Sequence, residues 1–190
     1  MCYNKGKVLI ISAPSGSGKT TIAKFLISKD LNLVFSISAC NRKKRQHEID
    51  GVDYFFLNTK EFKKKIDGDA FLEWEEVYSN KFYGTLKKDV FEKLDLGKNI
   101  LFDIDVKGAV NLKNFFKDQA LLIYIEVPLD IIEDRLRHRS TETEEQLLVR
   151  LNKIAEEIKY KEKFDLVFSN NNLINTQQKI YKAASSFLKN

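Results

Sequence analysis

Four consecutive apolar residues, Val8-Leu9-Ile10-Ile11, run through Ser12 into Ala13-Pro14-Ser15-Gly16-Ser17-Gly18-Lys19-Thr20. A helical pattern follows at once. A buried strand, a Gly/Ser loop ending in Lys-Thr and a helix in direct succession leave few options for the local fold. We read a strand over Lys7 to Ser12, a phosphate-binding loop over Ala13 to Thr20, and a helix from Thr20 to about Lys29. The glycines let backbone N–H groups converge on phosphate oxygens without Cβ interference. The helix N-terminus adds a dipole favourable to anions. Lys19 reaches the β- and γ-phosphates of a nucleoside triphosphate such as ATP, and the Thr20 hydroxyl suits Mg²⁺. Ala13 stands where the pattern G-x-x-x-x-G-K-[ST] has glycine, so this position must take a negative φ. An ordinary Gly/Ser turn would demand neither the strand before nor the helix after.

Beyond this segment, apolar runs alternate with helical patterns, the signature of an α/β fold with a mainly parallel sheet. Further strands are expected at Leu33 to Ser38, Ile100 to Asp105, Leu121 to Val127 and Leu166 to Ser169, with a closing helix over Thr176 to Leu188. Ala39 to Gly51 is polar and basic and reads as a loop. Tyr54 to Leu57 and Phe71 to Tyr78 read as short strands around a helix from Thr59 to Asp67, a small mixed subdomain. Arg135 to Arg150 is strongly charged and suits a helical lid. A chain of 190 residues with only two prolines and no linker-like stretch fits one domain.

Composition narrows the function classes. The cysteines, Cys2 and Cys40, have no metal-ligand or disulfide spacing. The apolar run near the start is too short for a signal peptide or a membrane span, so a cytoplasmic protein with no membrane partner is expected. A net charge of +5 suits an enzyme of phosphorylated metabolites and also a nucleic-acid binder. Acidic residues interleaved along the chain argue against a continuous phosphate-backbone stripe.

The acceptor of the phosphate must be read elsewhere. Arg42-Lys43-Lys44-Arg45 carries two guanidinium forks able to clamp a second phosphate, although read alone it also suits a solvated basic loop. Glu73, in the apolar context Phe71-Leu72-Glu73-Trp74, needs hydrogen-bond donors if it is held there. Guanine offers N1–H and an exocyclic amino group side by side, which adenine does not; a water-facing edge glutamate is the alternative. Asp103 and Asp105 alternate along one expected strand and would share a face near its C-terminal end, where α/β folds bind ligands. Asp105 also suits a helix cap. Arg135 and Arg139 share a helix face, with Arg150 on the next segment. These cations could stabilise a transferring phosphoryl group or pair with Glu142, Glu144 and Glu145.

In order along nearly the whole chain, these fragments resemble the guanylate kinase family. The markers are Ser36-Ile37-Ser38 with Arg42 and Arg45, Gly51-Val52-Asp53-Tyr54-Phe55-Phe56, Phe71-Leu72-Glu73-Trp74, Phe82-Tyr83-Gly84-Thr85, Asp103-Ile104-Asp105, and Arg135-Leu136 with Arg139-Ser140-Thr141-Glu142 and Arg150-Leu151. The resemblance implies a P-loop NTPase fold with a small mixed GMP-binding subdomain and a helical lid. The core would cover about 1–38, 98–134 and 151–190, the GMP-binding region about 39–97 and the lid about 135–150. It implies transfer of the γ-phosphoryl of ATP to GMP, and to dGMP, with Mg²⁺ as MgATP, in purine nucleotide metabolism and GMP recycling.

By the same resemblance, Arg42, Arg45, Tyr54 and Tyr83 hold the GMP phosphate, and Ser38, Glu73 and Thr85 read guanine. Asp103 and Asp105 complete the GMP and magnesium network. Lys19, Arg42, Arg139 and Arg150 carry the catalysis, and Arg135 and Asn170 join the loop in binding ATP, with Asn170 near the adenine. The chain departs from the family pattern at Ala13, Cys40-Asn41, Lys44, Lys107 and Asn171-Asn172. Two other readings stay open: a non-catalytic guanylate-kinase-like binding domain, and a P-loop kinase for another acceptor.

Overall fold

The computed structural model describes residues 6–14, 17–138 and 144–189. In chain order its elements are β1 (Val8–Ser12), α1 (Lys19–Ile27), β2 (Leu33–Phe35), β3 (Ser38–Cys40), β4 (Phe55–Phe56), α2 (Thr59–Asp67), β5 (Phe71–Tyr78), β6 (Lys81–Leu86) and α3 (Lys87–Asp95). Then follow β7 (Asn99–Asp103), α4 (Val106–Phe116), β8 (Ala120–Glu126), α5 (Leu129–His138), α6 (Glu144–Ile158), β9 (Leu166–Ser169) and α7 (Leu173–Lys189). The chain forms two compact units. One comprises Val34–Ile100 with the residues just before Val8; the other comprises Val8–Leu33 and the chain from Leu101 onward.

The second unit is built on a sheet of order β2-β7-β1-β8-β9, and the unit boundaries fall within β2 and β7. β1 pairs parallel with β8, and β8 with β9. All five residues of β1 are buried, which is why it reads as an unbroken apolar run: a central parallel strand is covered on both faces. On one face, Leu9, Ile11, Ile123 and Ile125 pack with Ile22, Ala23 and Leu26 of α1 and Ile180 and Ala184 of α7. α4 packs against β1 and β8, burying Val106, Ala109, Leu112 and Phe116 at helical spacing. A separate apolar cluster of Val127, Ile132, Leu147 and Ile154 joins α5 to α6. Among the described residues no helix is long and apolar enough to cross a membrane.

The first unit carries a four-stranded mixed sheet, β4-β3-β6-β5. β3 pairs parallel with β4 and antiparallel with β6, and β6 pairs antiparallel with β5. Phe62 of α2 is fully buried against Ala39, Phe71 and Phe82 on one face of this sheet. Asn58 and Glu61 form a capping box that starts α2.

Three expectations change. The strand expected over Leu33 to Ser38 is two strands, β2 and β3, in different sheets. Ala39 and Cys40, expected in a loop, belong to β3 and are buried. β7 stops at Asp103, so strand alternation does not relate Asp105 to it. The pair β6 and α3 carried no clear local signal, because Gly84 interrupts the strand pattern and α3 starts at Leu86 without a side-chain cap.

Candidate active site

The residues predicted to bind ligand fall into two groups, one in each unit. In the second unit, β1 delivers the chain into the glycine-rich loop. Ser12 Oγ donates to the Ile104 carbonyl at 2.8 Å, tying the end of β1 to the end of β7. Ala13 is buried in the core cluster and is not among the residues with positive φ, so the missing glycine costs the loop entry nothing. Gly18 is different: it is the N-cap of α1 at φ +88°, a conformation that disfavours any side chain. A Cβ there would also lie 3.2 Å from Asn170 Nδ2. Pro14 and Ser17 are linked by a backbone bond from Ser17 N–H to the Pro14 carbonyl. Ser15 and Gly16 lie outside the described residues.

Lys19 Nζ sits 3.0 Å from Asp103 Oδ1 and donates to the Ile104 carbonyl at 2.9 Å. Thr20 Oγ1 donates to Asp103 Oδ2 at 3.0 Å. Asp103 therefore gathers both loop residues whose chemistry suits a magnesium-bound phosphate. Asp105 serves differently: its Oδ1 accepts from the backbone N–H groups of Lys107 and Gly108 and caps α4. Asn170, expected beside adenine, is buried and donates from Nδ2 to the Ser17 carbonyl at 2.8 Å. Arg139 and the side chains of Arg135 and Arg150 lie outside the described residues. Beside the apolar cluster, Arg137 of α5 pairs with Glu144 of α6 and, within its own helix, with Glu133.

Thr20 and Asp103 offer hard oxygen donors, the chemistry Mg²⁺ prefers. Among the described residues no group of three or more His, Cys, Asp and Glu could hold a metal alone. The residues present thus fit an ion that arrives with phosphates and keeps several waters.

In the first unit, register brings the predicted base readers into one row. Thr85 of β6 stands opposite Ser38 of β3 on one side and Glu73 of β5 on the other. Thr85 is fully buried, Glu73 is 9% exposed, and Thr85 Oγ1 donates to Glu73 Oε1 at 2.6 Å. Gly84 lets β5 approach this closely, since a Cβ there would meet the Glu73 carbonyl at 2.9 Å. Two residues along β6, on the same face as Thr85, Tyr83 stands opposite Cys40.

Tyr83 contacts Tyr54 edge to face at 6.2 Å, and the Arg42 guanidinium lies over the Tyr54 ring at 4.8 Å. Arg42 donates from both terminal nitrogens to Glu48, at 2.6 and 2.5 Å. The Arg45 backbone N–H donates to the same carboxylate at 2.8 Å, while the Arg45 side chain is exposed. Glu48, 7% exposed, is therefore the hub of the basic loop. The Arg42 fork holds its carboxyl down to about 2. Arg42 is in turn raised above its ordinary value by the hydrogen bonds to Glu48. Burial pushes the Tyr54 and Tyr83 hydroxyls up, against the opposing pull of Arg42, so both stay protonated donors at neutral pH.

Sequence reasoning missed Glu48, because a lone acid in a basic loop announces no partner. It also missed Asn41, whose side chain links β3 to β6 by accepting from Phe82 N–H and donating to the Asn80 carbonyl and Thr59 Oγ1.

Comparison with known proteins places this geometry. The family model described as guanylate kinase matches residues 5–187. The chain belongs to the guanylate kinase family. The guanylate kinase of Bacteroides fragilis is 44% identical over 97% of this chain and 91% of its own length. That of Porphyromonas gingivalis is 44% identical over 96% of this chain and 98% of its own length. The crystal structure of guanylate kinase from Anaplasma phagocytophilum superposes with a TM-score of 0.78 at 27% identity, covering 98% of this chain and 88% of that one. The P-loop NTPase fold that the resemblance implied is thus shared with a solved guanylate kinase.

Proposed function

We propose that this chain transfers the γ-phosphoryl group of ATP to GMP, and to dGMP, giving ADP and the guanosine diphosphate. The observation that carries the acceptor assignment is the buried Glu73 carboxylate beside Thr85 and Ser38. A single carboxylate in an enclosed row matches the paired N1–H and amino donors of guanine, and adenine would leave it unmatched.

The chemistry is an in-line displacement. A phosphate oxygen of GMP attacks the γ-phosphorus, a new P–O bond forms, and the bond to the β-bridging oxygen breaks as ADP leaves. No covalent enzyme intermediate is required, so catalysis is positioning and charge stabilisation. Arg42, held by Glu48, together with Arg45, Tyr54 and Tyr83 binds the acceptor phosphate. Lys19 neutralises the β- and γ-phosphates of the donor. Thr20 and Asp103 would hold Mg²⁺, and the ion would supply Lewis-acid charge neutralisation of those phosphates. Arg139 and Arg150, on a lid over about 135–150, stabilise the transferring group, and Arg135 serves the ATP end. Exclusion of water by that lid would keep ATP from hydrolysis. The acceptor region spans about 39–97, and the enzyme works in the cytoplasm in GMP recycling.

A coupled assay with ATP and each nucleoside monophosphate tests the reading. GMP turns over far faster than AMP; equal or faster AMP turnover overturns the assignment. Glu73→Gln lowers kcat/KM for GMP by about 5- to 150-fold, the equivalent of ~1–3 kcal/mol for mismatched buried donors. Unchanged selectivity in that variant would remove Glu73 as the reader.

A further inference from the structure

Asn170 lies in the turn between β9 and α7 and is 3% exposed. Its surroundings hold it from two sides. Its backbone N–H donates to the Glu126 carbonyl at the end of β8. Behind it, the buried Thr176 hydroxyl donates to the carbonyls of Ser169 and Asn172 at 3.0 and 2.9 Å, locking the turn onto α7. From this fixed base, Nδ2 reaches the Ser17 carbonyl.

That carbonyl belongs to the peptide joining Ser17 to Gly18. In a trans peptide the C=O and the following N–H point in opposite directions. Pinning the Ser17 oxygen towards Asn170 therefore turns the Gly18 N–H the other way. Gly18 N–H and Lys19 N–H are the donors a loop of this kind offers to an anion. Gly18, at φ +88°, has no Cβ, and the 3.2 Å a Cβ would leave to Nδ2 shows how closely Asn170 underlies the loop. Asn170 Oδ1 and Ser17 Oγ are buried without a hydrogen-bond partner among the described residues. An apolar side chain would avoid that desolvation, so packing alone does not account for an amide here.

We propose that Asn170 is a positioning residue of the phosphate loop: it sets the direction of the Ser17–Gly18 peptide and so acts on the triphosphate chain of the donor. This rests on the reading of Ala13 to Thr20 as the triphosphate site.

The test uses the full chain and two uncharged variants, Asn170→Ala and Asn170→Leu, the second of which fills the side chain's volume. Titration with magnesium tripolyphosphate probes the loop with a ligand that has no base. Both variants lose about tenfold in tripolyphosphate affinity, the scale of one hydrogen bond. kcat/KM falls by at least that factor for ATP and also for ITP, whose base lacks the 6-amino group of adenine. KM for GMP stays within about twofold and the melting temperature of at least one variant stays near wild type, so the loss is local. Wild-type tripolyphosphate affinity in a folded variant overturns the inference, as does an unchanged kcat/KM for ITP. If the unaltered chain fails to bind tripolyphosphate at all, the triphosphate reading of the loop falls, and the role of Asn170 with it.

Discussion

Replacing Glu48 by Gln removes the charge that both terminal nitrogens of Arg42 share. Hydrogen bonds to charged groups contribute ~1.5–3 kcal/mol, so Glu48→Gln lowers kcat/KM for GMP by about 10- to 150-fold. The KM for the triphosphate stays unchanged, because the described hydrogen-bond partners of Glu48 are Arg42 and Arg45 of the basic loop. Steady-state kinetics with each substrate varied in turn check this split. Glu48 also gives stability a pH signature. Its folded pKa of about 2 lies below the ~4.3 of an unfolded glutamate. The unfolded chain therefore takes up the proton first as pH falls. The Glu48 contribution is complete above ~4.3 and is lost progressively down to about 2. Urea midpoints measured across that window fall more steeply for the native chain than for Glu48→Gln.

α2 supports from behind the sheet that carries Ser38, Glu73 and Thr85, the residues proposed to read the base. Phe62 stacks on Phe71 at 4.5 Å and on Phe82 at 5.6 Å. Phe82 and Tyr83 are neighbours on β6, so one faces α2 and the other faces the side that carries Thr85. Phe62→Ala leaves a cavity under the sheet and costs ~3–5 kcal/mol. Asn58→Ala removes one cap of the same helix and costs ~1 kcal/mol. Denaturant unfolding of the two variants ranks them in that order. Near-equal losses would mean that α2 contributes little beyond its own helicity.

The two groups of residues proposed to bind ligand lie in separate compact units, and each ligand would stabilise what it touches. A ligand at a hundred times its Kd adds about 2.7 kcal/mol to the structure it binds. In hydrogen exchange, GMP alone slows β3, β5 and β6, and magnesium tripolyphosphate alone slows α1 and the end of β7. GMP protection confined to α1 would reverse the assignment of the units. The excess of 32 Lys and Arg over 27 Asp and Glu fits both ligands being anions.

The glycine-rich loop was legible because everything it needs is contiguous: a buried apolar strand, glycines for backbone approach, Lys19, Thr20 and a helix start. Strand and helix periods along β1, β8, α2 and α7 were legible for the same reason, since backbone sterics and burial on one face act over a few residues. The family was legible from ordered fragments. The break between β2 and β3 was not, because Ser36 and Ile37 are tolerated in a strand and only the pairing of Ser38–Cys40 with β6 and β4 assigns β3 to the other sheet. Asp105 looked like a partner of Asp103 until the chain left β7 and turned its carboxylate onto the first turn of α4. The fit of Ala13 in the loop turns on one dihedral angle, which residue identity does not state. The bonds from Glu48 to Arg42 and from Asn170 to the Ser17 carbonyl join groups whose chemistry was visible in the chain but whose meeting was not. Local chemistry names which side chains are able to bind phosphate and base. Register, burial and the path of distant turns choose which atoms each of them faces, because those depend on contacts between segments far apart in the chain.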